Sequence, residues 1–163
     1  MEQIALDEND IALLESLQTD ASLSNLTLAA QANISPPTCL RRVKRLRDAG
    51  LIERQIALLS ADKLAVVVGH GLTAIVEITL DRQGSEHLAA FEARTTFDDA
   101  VQQCYRVSPG PDFILVVHVA DMPRYLALAQ RLFTSDANVR NVKAFFSLKR
   151  SKFKPKVDRK SVV

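Results

Sequence analysis

The sequence predicts an α+β fold, an N-terminal winged helix-turn-helix followed by a ferredoxin-like βαββαβ domain. Residues 1–59 contain three short amphipathic helical segments and then a β-leaning run. Residues 71–153 alternate strand-like and helical patterns in the order β-α-β-β-α-β, which gives an antiparallel sheet with both helices on one face. Between the domains, residues 60–70 are predicted to be a linker ending in a short strand. Residues 154–163 are basic and poor in apolar residues, so we expect a flexible tail there.

The composition sets the broad class of the protein. At 163 residues and 47% apolar content, the chain is long enough for one domain or for two small ones with real cores. Residues 1–148 carry a net charge of −4 and residues 149–163 one of +6, so the overall charge of +2 comes from the tail. Neither a basic-then-apolar leader nor a run of about 18 apolar residues is visible, and we therefore expect a soluble, cytoplasmic protein without membrane contact.

Residues that bind metals or form disulfides are sparse. Cys39 and Cys104 are neither paired in a zinc spacing nor numerous enough for a secreted framework, so we expect buried free thiols. His70, His87 and His118 fall in different predicted elements without metal-ligand spacing. The sequence therefore predicts no metal and no cofactor.

Catalytic motifs are missing as well. The sequence shows no Gly-rich phosphate loop, no Gly-x-Ser-x-Gly elbow and no Cys–His pairing. The carboxylates of Asp98 and Asp99 would need facing partners to act as a catalytic dyad, and a solvated turn is the better interpretation. We therefore predict that the protein is not an enzyme.

The first two predicted helices have clear ends. Asp7 is expected to cap the first, which has acidic residues in its first turn and an apolar stripe that continues to about Thr19. Ser24 caps a small Ala-rich second helix, and Asn33, which tolerates positive φ, ends it. A small helix, a short turn and a third helix are the pattern of a helix-turn-helix.

The third helix, within residues 35–50, is central to the predicted function. Ser35 is expected to cap it, Pro36 tolerates the missing N–H at its start, and Gly50 supplies the left-handed residue at its end. At 100° per residue its apolar sector comprises Pro36, Cys39, Leu40, Val43 and Leu46.

The opposite face of this helix is almost purely cationic. The helix holds five Lys/Arg and one Asp, a net charge of +4 that suits a groove lined with phosphates. We expect Thr38, Arg41 and Arg45 to face the groove, and Arg42 and Lys44 to contact the DNA backbone. The predicted DNA-binding set is Ser35, Pro37, Thr38, Arg41, Arg42, Lys44 and Arg45. A solvated helix, or any three-helix bundle with a basic face, is the alternative.

A strand directly after the third helix would complete the winged form of the motif. Residues 51–59 have a high β-strand propensity and are predicted to be that strand. The linker continues through residues 60–63 into a short apolar strand that ends at Gly69.

The second domain is predicted from regular patterning. Strands are expected at 72–80, 101–107, 113–119 and 139–148, and helices at 84–96 and 121–133. The third strand is apolar on both faces apart from His118, so the sheet face without helices needs a cover. A second copy of the same sheet is the economical cover, and we therefore expect a dimer.

The turn between the second and third strands could hold a ligand. Here a Gly turn leads to the carboxylate of Asp112, offering backbone N–H groups to an anion and a negative charge to an ammonium. Together these groups fit an α-amino acid. A rigid hairpin turn without a ligand is the alternative.

The N-terminal motifs resemble those of the Lrp/AsnC family, the leucine-responsive or feast/famine transcriptional regulators of bacteria and archaea. The resemblance rests on Leu6-Asp7 to Ile11, Ser24-Asn25-Leu26, Ile34-Ser35-Pro36, and Cys39-Leu40-Arg41-Arg42-Val43-Lys44-Arg45-Leu46 through Gly50-Leu51-Ile52. Together with the βαββαβ pattern it covers about residues 4–153. One departure is Asn33, where the family usually has Gly.

This resemblance implies that the second domain is an ACT-like, or RAM, effector domain that dimerises through its sheets and often forms tetramers or octamers. It also implies an effector pocket between dimers, built from the hairpin turn and the last strand. The corresponding residues are Ser108, Pro109, Gly110, Asp112, Val142 and Ala144. Asp112 matches the family, whereas Pro109 stands where Gly is usual, and Val142 and Ala144 where Thr is frequent.

The resulting prediction is a sequence-specific transcriptional regulator that binds double-stranded DNA as a homo-oligomer and responds to an amino acid or related small molecule. One alternative is an enzyme of the sirohaem decarboxylase type, which resembles the same two-domain architecture. Another is a stand-alone amino-acid sensor. The intact cationic helix argues against both.

Overall fold

The structure is a computed structural model that describes residues 5–69 and 71–157. His70, one of the three histidines considered above, and residues 158–163 of the predicted tail lie outside the described residues. Across the two described ranges, no helix is long and apolar enough to cross a membrane.

The chain divides into two compact units. The N-terminal unit comprises the residues up to Leu58 together with 152–157, and the C-terminal unit comprises residues 59–151. The segment 152–157 thus packs with the N-terminal unit although it follows the last strand of the sheet. Residues 154–157 of this segment belong to the predicted flexible tail.

The three helices predicted at the N-terminus are confirmed: α1 (Glu8–Thr19), α2 (Asn25–Gln31) and α3 (Pro36–Asp48). Asp7 caps α1 in a capping box with Asp10, and the Ser24 side chain caps α2. The two predicted left-handed residues are also found, Asn33 with φ 52° and Gly50 with φ 75°.

The buried stripe of α3 is narrower than predicted. Cys39 and Leu46 are fully buried and Val43 is half-buried, whereas Leu40 is 63% exposed. Leu40 lies about 100° around the helix from Cys39, while Val43 and Leu46 lie within about 40° of it. The placement of Leu40 in the apolar sector was therefore wrong.

Two predicted strands are not formed in the described chain. Residues 51–59 pair with no other strand, and the expected strand at the end of the linker is instead a helix, α4 (Ala61–Val68). A strand needs a neighbour to satisfy its backbone groups, whereas a helix satisfies its own. Ser60 starts α4 because its side chain accepts a hydrogen bond from the Lys63 N–H.

The C-terminal unit has the predicted βαββαβ order. Its elements are β1 (Leu72–Leu80), α5 (Ser85–Thr96), β2 (Val101–Arg106), β3 (Phe113–Val119), α6 (Met122–Ala129), which runs into a π-helical turn at Gln130–Thr134, and β4 (Val139–Phe146). All neighbouring strands are antiparallel, in the order β2-β3-β1-β4. Strands β2 and β4 end one and two residues earlier than predicted.

The two faces of the sheet differ in burial. On one face, Val76, Leu115 and their neighbours pack with Phe91 of α5 and are fully buried. The opposite face carries Ile75 and Phe145, about half exposed and directly opposite one another on β1 and β4. One face of the sheet is therefore buried beneath the helices, and the other, which we call the open face, is apolar and uncovered, as predicted.

Candidate functional site

The helix α3 is positioned by buried contacts and by one bond to α2. Cys39, on the inner face of α3, belongs to the buried cluster that contains Leu28 and Ala29 of α2. Asn25 Nδ2, at the start of α2, donates to the carbonyl of Pro36 at 2.9 Å. This bond joins the N-termini of α2 and α3. It therefore fixes the two helices relative to each other near the N-terminus of α3, the end that enters the major groove in such motifs.

Ser35 stands at the N-cap position, but its side chain caps no backbone N–H of α3. Its Oγ lies 2.8 Å from Thr38 Oγ1, so the two hydroxyls bind each other. Two prolines occupy the first turn, and they leave few free N–H groups for a cap to satisfy. The predicted capping role of Ser35 was therefore wrong.

A buried carboxylate of α1 holds two arginines of α3. Asp10 is fully buried, its Oδ1 accepts a hydrogen bond from Arg42 Nη1 at 2.8 Å, and its Oδ2 is paired with Arg45. Arg42 Nη1 also donates to Asp7 Oδ2 at 2.7 Å. We call these two carboxylates, Asp7 and Asp10, the acidic clamp. Because a buried charge is stable only when it is paired, the clamp fixes α3 against α1.

Ionisation of the clamp is reinforced by these contacts. The backbone N–H of Asp10 and the guanidinium of Arg42 hold the pKa of Asp7 below its ordinary value. In turn, hydrogen bonds to Asp7 and Asp10 raise the already high pKa of Arg42. Asp7 and Arg42 therefore both carry charge at neutral pH.

The clamp separates the basic residues of α3 into two groups. The side chain of Arg42 is only 21% exposed, and that of Arg45 is 46% exposed while it is shared with Asp10. Arg41 is exposed and is not bonded to the acidic clamp. The side chain of Lys44 is 77% exposed, and its Nζ lies 3.6 Å from Asp48 Oδ2. Ser35 and Pro37 are also exposed, and Thr38 is half-buried.

Sequence reasoning missed the acidic clamp. Asp7 and Asp10 were visible only as a cap and a first-turn acid, which are local roles. Arg41, Arg42 and Arg45 border a small cavity of about 140 Å³ together with Asp7. The sequence shows an acidic first turn in α1 and a basic third helix, but it does not show which of these residues pair.

In the C-terminal unit, Asp112 anchors the predicted effector turn to β1. Its backbone N–H donates to the carbonyl of Ile78 at 2.8 Å, and its Oδ2 accepts from the Leu80 N–H at 2.7 Å. Gln83 Nε2 reaches the same oxygen at 3.3 Å, a contact that sequence reasoning missed. An ammonium ligand at Asp112 would therefore meet a carboxylate already bonded through one oxygen.

The remaining predicted effector residues are divided between two places. Ser108, Pro109 and Gly110 are exposed at the turn, with Gly110 at φ 123°. Val142 and Ala144 lie opposite Ile78 and Val76 on β1, on the face covered by the helices. Asp112 is bonded to Ile78 on β1, and Val142 lies opposite Ile78 on β4, so β1 alone separates the end of the turn from the last strand within one chain.

A groove that the sequence did not predict lies at the other end of β3, beside α6. It has a volume of about 460 Å³, and its lining includes Asp99, His118, Arg124 and Arg131. Burial alone would raise the pKa of neighbouring Asp98, but the Arg131 guanidinium and the Ala100 N–H lower it. Residues 97–100 form the predicted turn with Asp99 exposed, but Asp98 is ion-paired with Arg131 rather than solvated.

Metal-binding and thiol chemistry have little support in the described ranges. Residues 5–69 and 71–157 contain no group of three His, Cys, Asp or Glu placed to hold a metal ion. Cys39 and Cys104 are free, and burial raises the pKa of both thiols. Cys39 is a buried free thiol as predicted, whereas Cys104 is only half-buried.

A helix-turn-helix with a cationic third helix, joined to a βαββαβ sheet, defines the class of DNA-binding regulators with a ligand-binding domain. The family model "Lrp/AsnC ligand binding domain" matches residues 73–157, and a winged helix-turn-helix DNA-binding model matches residues 6–53. The chain belongs to the Lrp/AsnC family of transcriptional regulators.

Individual relatives agree with this assignment. The chain is 33% identical over 150 residues to the leucine-responsive regulatory protein of Rhizobium meliloti, covering 92% of this chain and 94% of that protein. It is 34% identical over 148 residues to the DNA-binding transcriptional activator DecR of Escherichia coli K12, covering 91% and 95%. Both relatives are named as regulators, so the comparisons favour a regulator over the enzyme alternative.

Solved structures show the same architecture. The regulator NMB0573 of Neisseria meningitidis, in complex with L-Met, matches with a TM-score of 0.81 at 26% identity, over 98% of this chain and 100% of that one. An AsnC-family regulator of Agrobacterium tumefaciens matches with a TM-score of 0.82 at 26% identity, over 97% and 100%.

Proposed function

We propose that this protein regulates transcription by placing α3 of each protomer in the major groove of a pseudo-palindromic site, with an amino acid tuning affinity or assembly. The observation that carries the proposal is the acidic clamp. It holds Arg42 and Arg45 against α1 while Arg41 and Lys44 remain exposed. A fixed helix with an exposed cationic edge suits DNA recognition.

Individual roles follow from exposure. We propose that Thr38, Arg41 and Arg45 contact bases, with Arg45 reaching from its bond to Asp10. We propose that the hydroxyl of Ser35, the exposed Pro37 and Lys44 contact the DNA backbone. Two arginines of α3 bind the acidic clamp, and Arg42 is the less exposed of them. We propose that it orients the helix and makes little direct contact with DNA.

DNA selection followed by affinity measurement tests this proposal. A binding site is selected from a random duplex library, and the affinity of the protein for it is measured at fixed salt. We expect Arg41→Ala or Arg45→Ala to weaken specific binding by about 1–3 kcal/mol, as for lost base contacts. Arg82→Ala, on an exposed residue of the C-terminal unit, is the control. If neither variant changes affinity relative to this control, the groove-facing side of α3 has been misassigned.

The effector is proposed to be an α-amino acid bound near the hairpin turn. The L-Met complex of the Neisseria relative and the carboxylate of Asp112 support this proposal. Calorimetric titration with each of the common amino acids tests it, and Pro109→Gly, which restores the usual residue of the family, is expected to tighten binding. If no amino acid binds either form, the turn is a rigid connection only.

Assembly is proposed to begin with a dimer formed through the open sheet face, and to continue to a tetramer or octamer. The exposed apolar side chains of that face support the dimer, because such a patch is costly in water. As a regulator of chromosomal DNA, the protein is proposed to act in the cytoplasm. Light scattering measures the assembly size directly.

A further inference from the structure

The C-terminal tail carries the positive charge that the rest of the N-terminal unit lacks. Residues 1–58 hold six Lys/Arg and eight Asp/Glu, a net charge of −2. Residues 152–157, the described part of the tail within this unit, hold three Lys and no acidic residue. Because duplex DNA is a dense line of negative charge, a unit with a net negative charge attracts it poorly away from its cationic helix.

The cations of α3 offset this deficit only in part. Arg42 and Arg45 are paired with the acidic clamp, and Lys44 lies 3.6 Å from Asp48. An arginine that already binds a carboxylate attracts a phosphate less strongly than a free one does. Arg41 and Arg47 are the remaining exposed cations of α3, and phosphate contacts from another segment of the unit would add to theirs.

The tail is held against this same unit. The backbone N–H of Val157 donates to Gln18 Oε1 at 2.7 Å, and Lys156 Nζ lies 3.3 Å from Thr19 Oγ1. Lys152 and Lys154 precede this anchor and are exposed. An ammonium group has three donors, so Lys156 can bind Thr19 and a phosphate together.

The anchor lies at the end of α1 that leads into the helix-turn-helix. Thr19 ends α1, and a turn of residues 20–24 connects it to the start of α2. Asn25, the first residue of α2, is bonded to Pro36, the first residue of α3. Six residue steps separate Thr19 from Asn25 and span at most about 22 Å, so the tail is docked within that distance of the start of α2, which is bonded to the start of the recognition helix.

We propose that Lys152, Lys154 and Lys156 form a phosphate-binding strip that belongs to the DNA-binding unit and contacts the duplex backbone without reading sequence. This inference rests on the proposed DNA-binding function. The strip adds affinity for any duplex, whereas the side chains of α3 provide selectivity.

Salt dependence of binding tests the proposal with the full-length protein. The slope of log affinity against log salt is measured on a random-sequence duplex of about 40 base pairs, where only backbone contacts count. The triple variant Lys152→Gln, Lys154→Gln, Lys156→Gln is expected to reduce the slope by about 2–3 per bound DNA-binding unit. Its affinity for the selected site and for the random duplex should fall by the same factor, because phosphate contacts carry no sequence information.

A matched variant removes three charges from exposed positions of the C-terminal unit, Lys63→Gln, Arg82→Gln and Arg140→Gln. Its slope should remain at the wild-type value. If the two triple variants have equal slopes while the wild-type protein still binds the duplex, the proposed phosphate-binding strip is contradicted and the DNA-binding function is not. Absence of duplex binding by wild type overturns the DNA-binding function together with it.

Docking of the tail is tested separately with Gln18→Ala, which removes the acceptor of the Val157 N–H. We expect faster amide exchange at Val157 and a smaller loss of affinity than in the triple variant, since the charges remain. If the Val157 amide of the Gln18→Ala protein exchanges at the wild-type rate, the docked position of the strip is contradicted.

Discussion

Asp10 illustrates how one residue can have a local role and a tertiary role at once. Its local role, in the first turn of α1 beside the cap at Asp7, follows from the sequence. Its tertiary role, holding Arg42 and Arg45, could not be predicted because it depends on how α3 crosses α1. A hydrogen-bonding pattern between residues more than 30 positions apart has no signature in the local sequence.

Replacing Asp10 tests the clamp. We expect Asp10→Asn to lower the free energy of unfolding by about 2–3 kcal/mol, because it leaves two arginines without their buried partner. Chemical denaturation measures this change. Asp48→Asn, at an exposed i,i+4 pair with Lys44, should cost less than about 0.5 kcal/mol. Equal stabilities of the two variants would show that the clamp contributes nothing.

Acid should weaken the fold through paired carboxylates. Burial opposes ionisation of Asp136, but the Asn138 N–H and the Arg94 guanidinium lower its pKa below the ordinary value. A carboxyl whose folded pKa is depressed contributes stability above its unfolded pKa and loses it as pH falls through the folded pKa. The melting temperature should therefore drop below about pH 4, and Asp136→Asn should make that drop shallower.

At the scale of elements, helix ends were predictable and unpaired segments were not. The start of α1 follows from its capping box and the end of α3 from the left-handed Gly50, and both features act within a few positions. The run before Gly69 was misassigned because its β-branched valines favour a strand in isolation. Among the described residues no strand pairs with this run. It forms the helix α4 instead, because Ser60 caps it and a helix satisfies its own backbone hydrogen bonds.

The end of α3 offers a test at this scale. Gly50 has φ 75° and open space around it, so only backbone strain opposes a side chain there. Gly50→Ala is expected to lower the free energy of unfolding by about 1 kcal/mol. Asn33→Gly, at the other left-handed position, should change it by less than about 0.5 kcal/mol. Thermal melts of both variants check the contrast.

At the scale of the whole molecule, the sequence predicted the βαββαβ order and the open face of the sheet, since alternation along a strand reports which side is buried. It placed the hairpin turn and the last strand in one effector site because the family resemblance implied it. Within one chain β1 alone lies between the end of this turn and the last strand, because Asp112 is bonded to Ile78 and Val142 lies opposite Ile78. Such proximity between residues far apart in the chain cannot be derived from residue patterning.

The open face provides the corresponding prediction. Ile75→Glu places a charge in the middle of the exposed apolar face, and we expect the protein to dissociate toward monomers in light scattering. Leu126→Glu puts the same charge on an exposed residue of α6, on the helical side of the sheet, and should leave the assembly unchanged. Dissociation by the second variant alone would place the interface on the helices.

The acidic clamp has a consequence for modularity. Since Arg42 and Arg45 of α3 are held by carboxylates of α1, the recognition helix is not an interchangeable part. A graft of residues 36–48 into another helix-turn-helix scaffold would arrive with two arginines that lack their partners. Any transfer of the DNA preference of this protein must therefore move Asp7 and Asp10 along with α3.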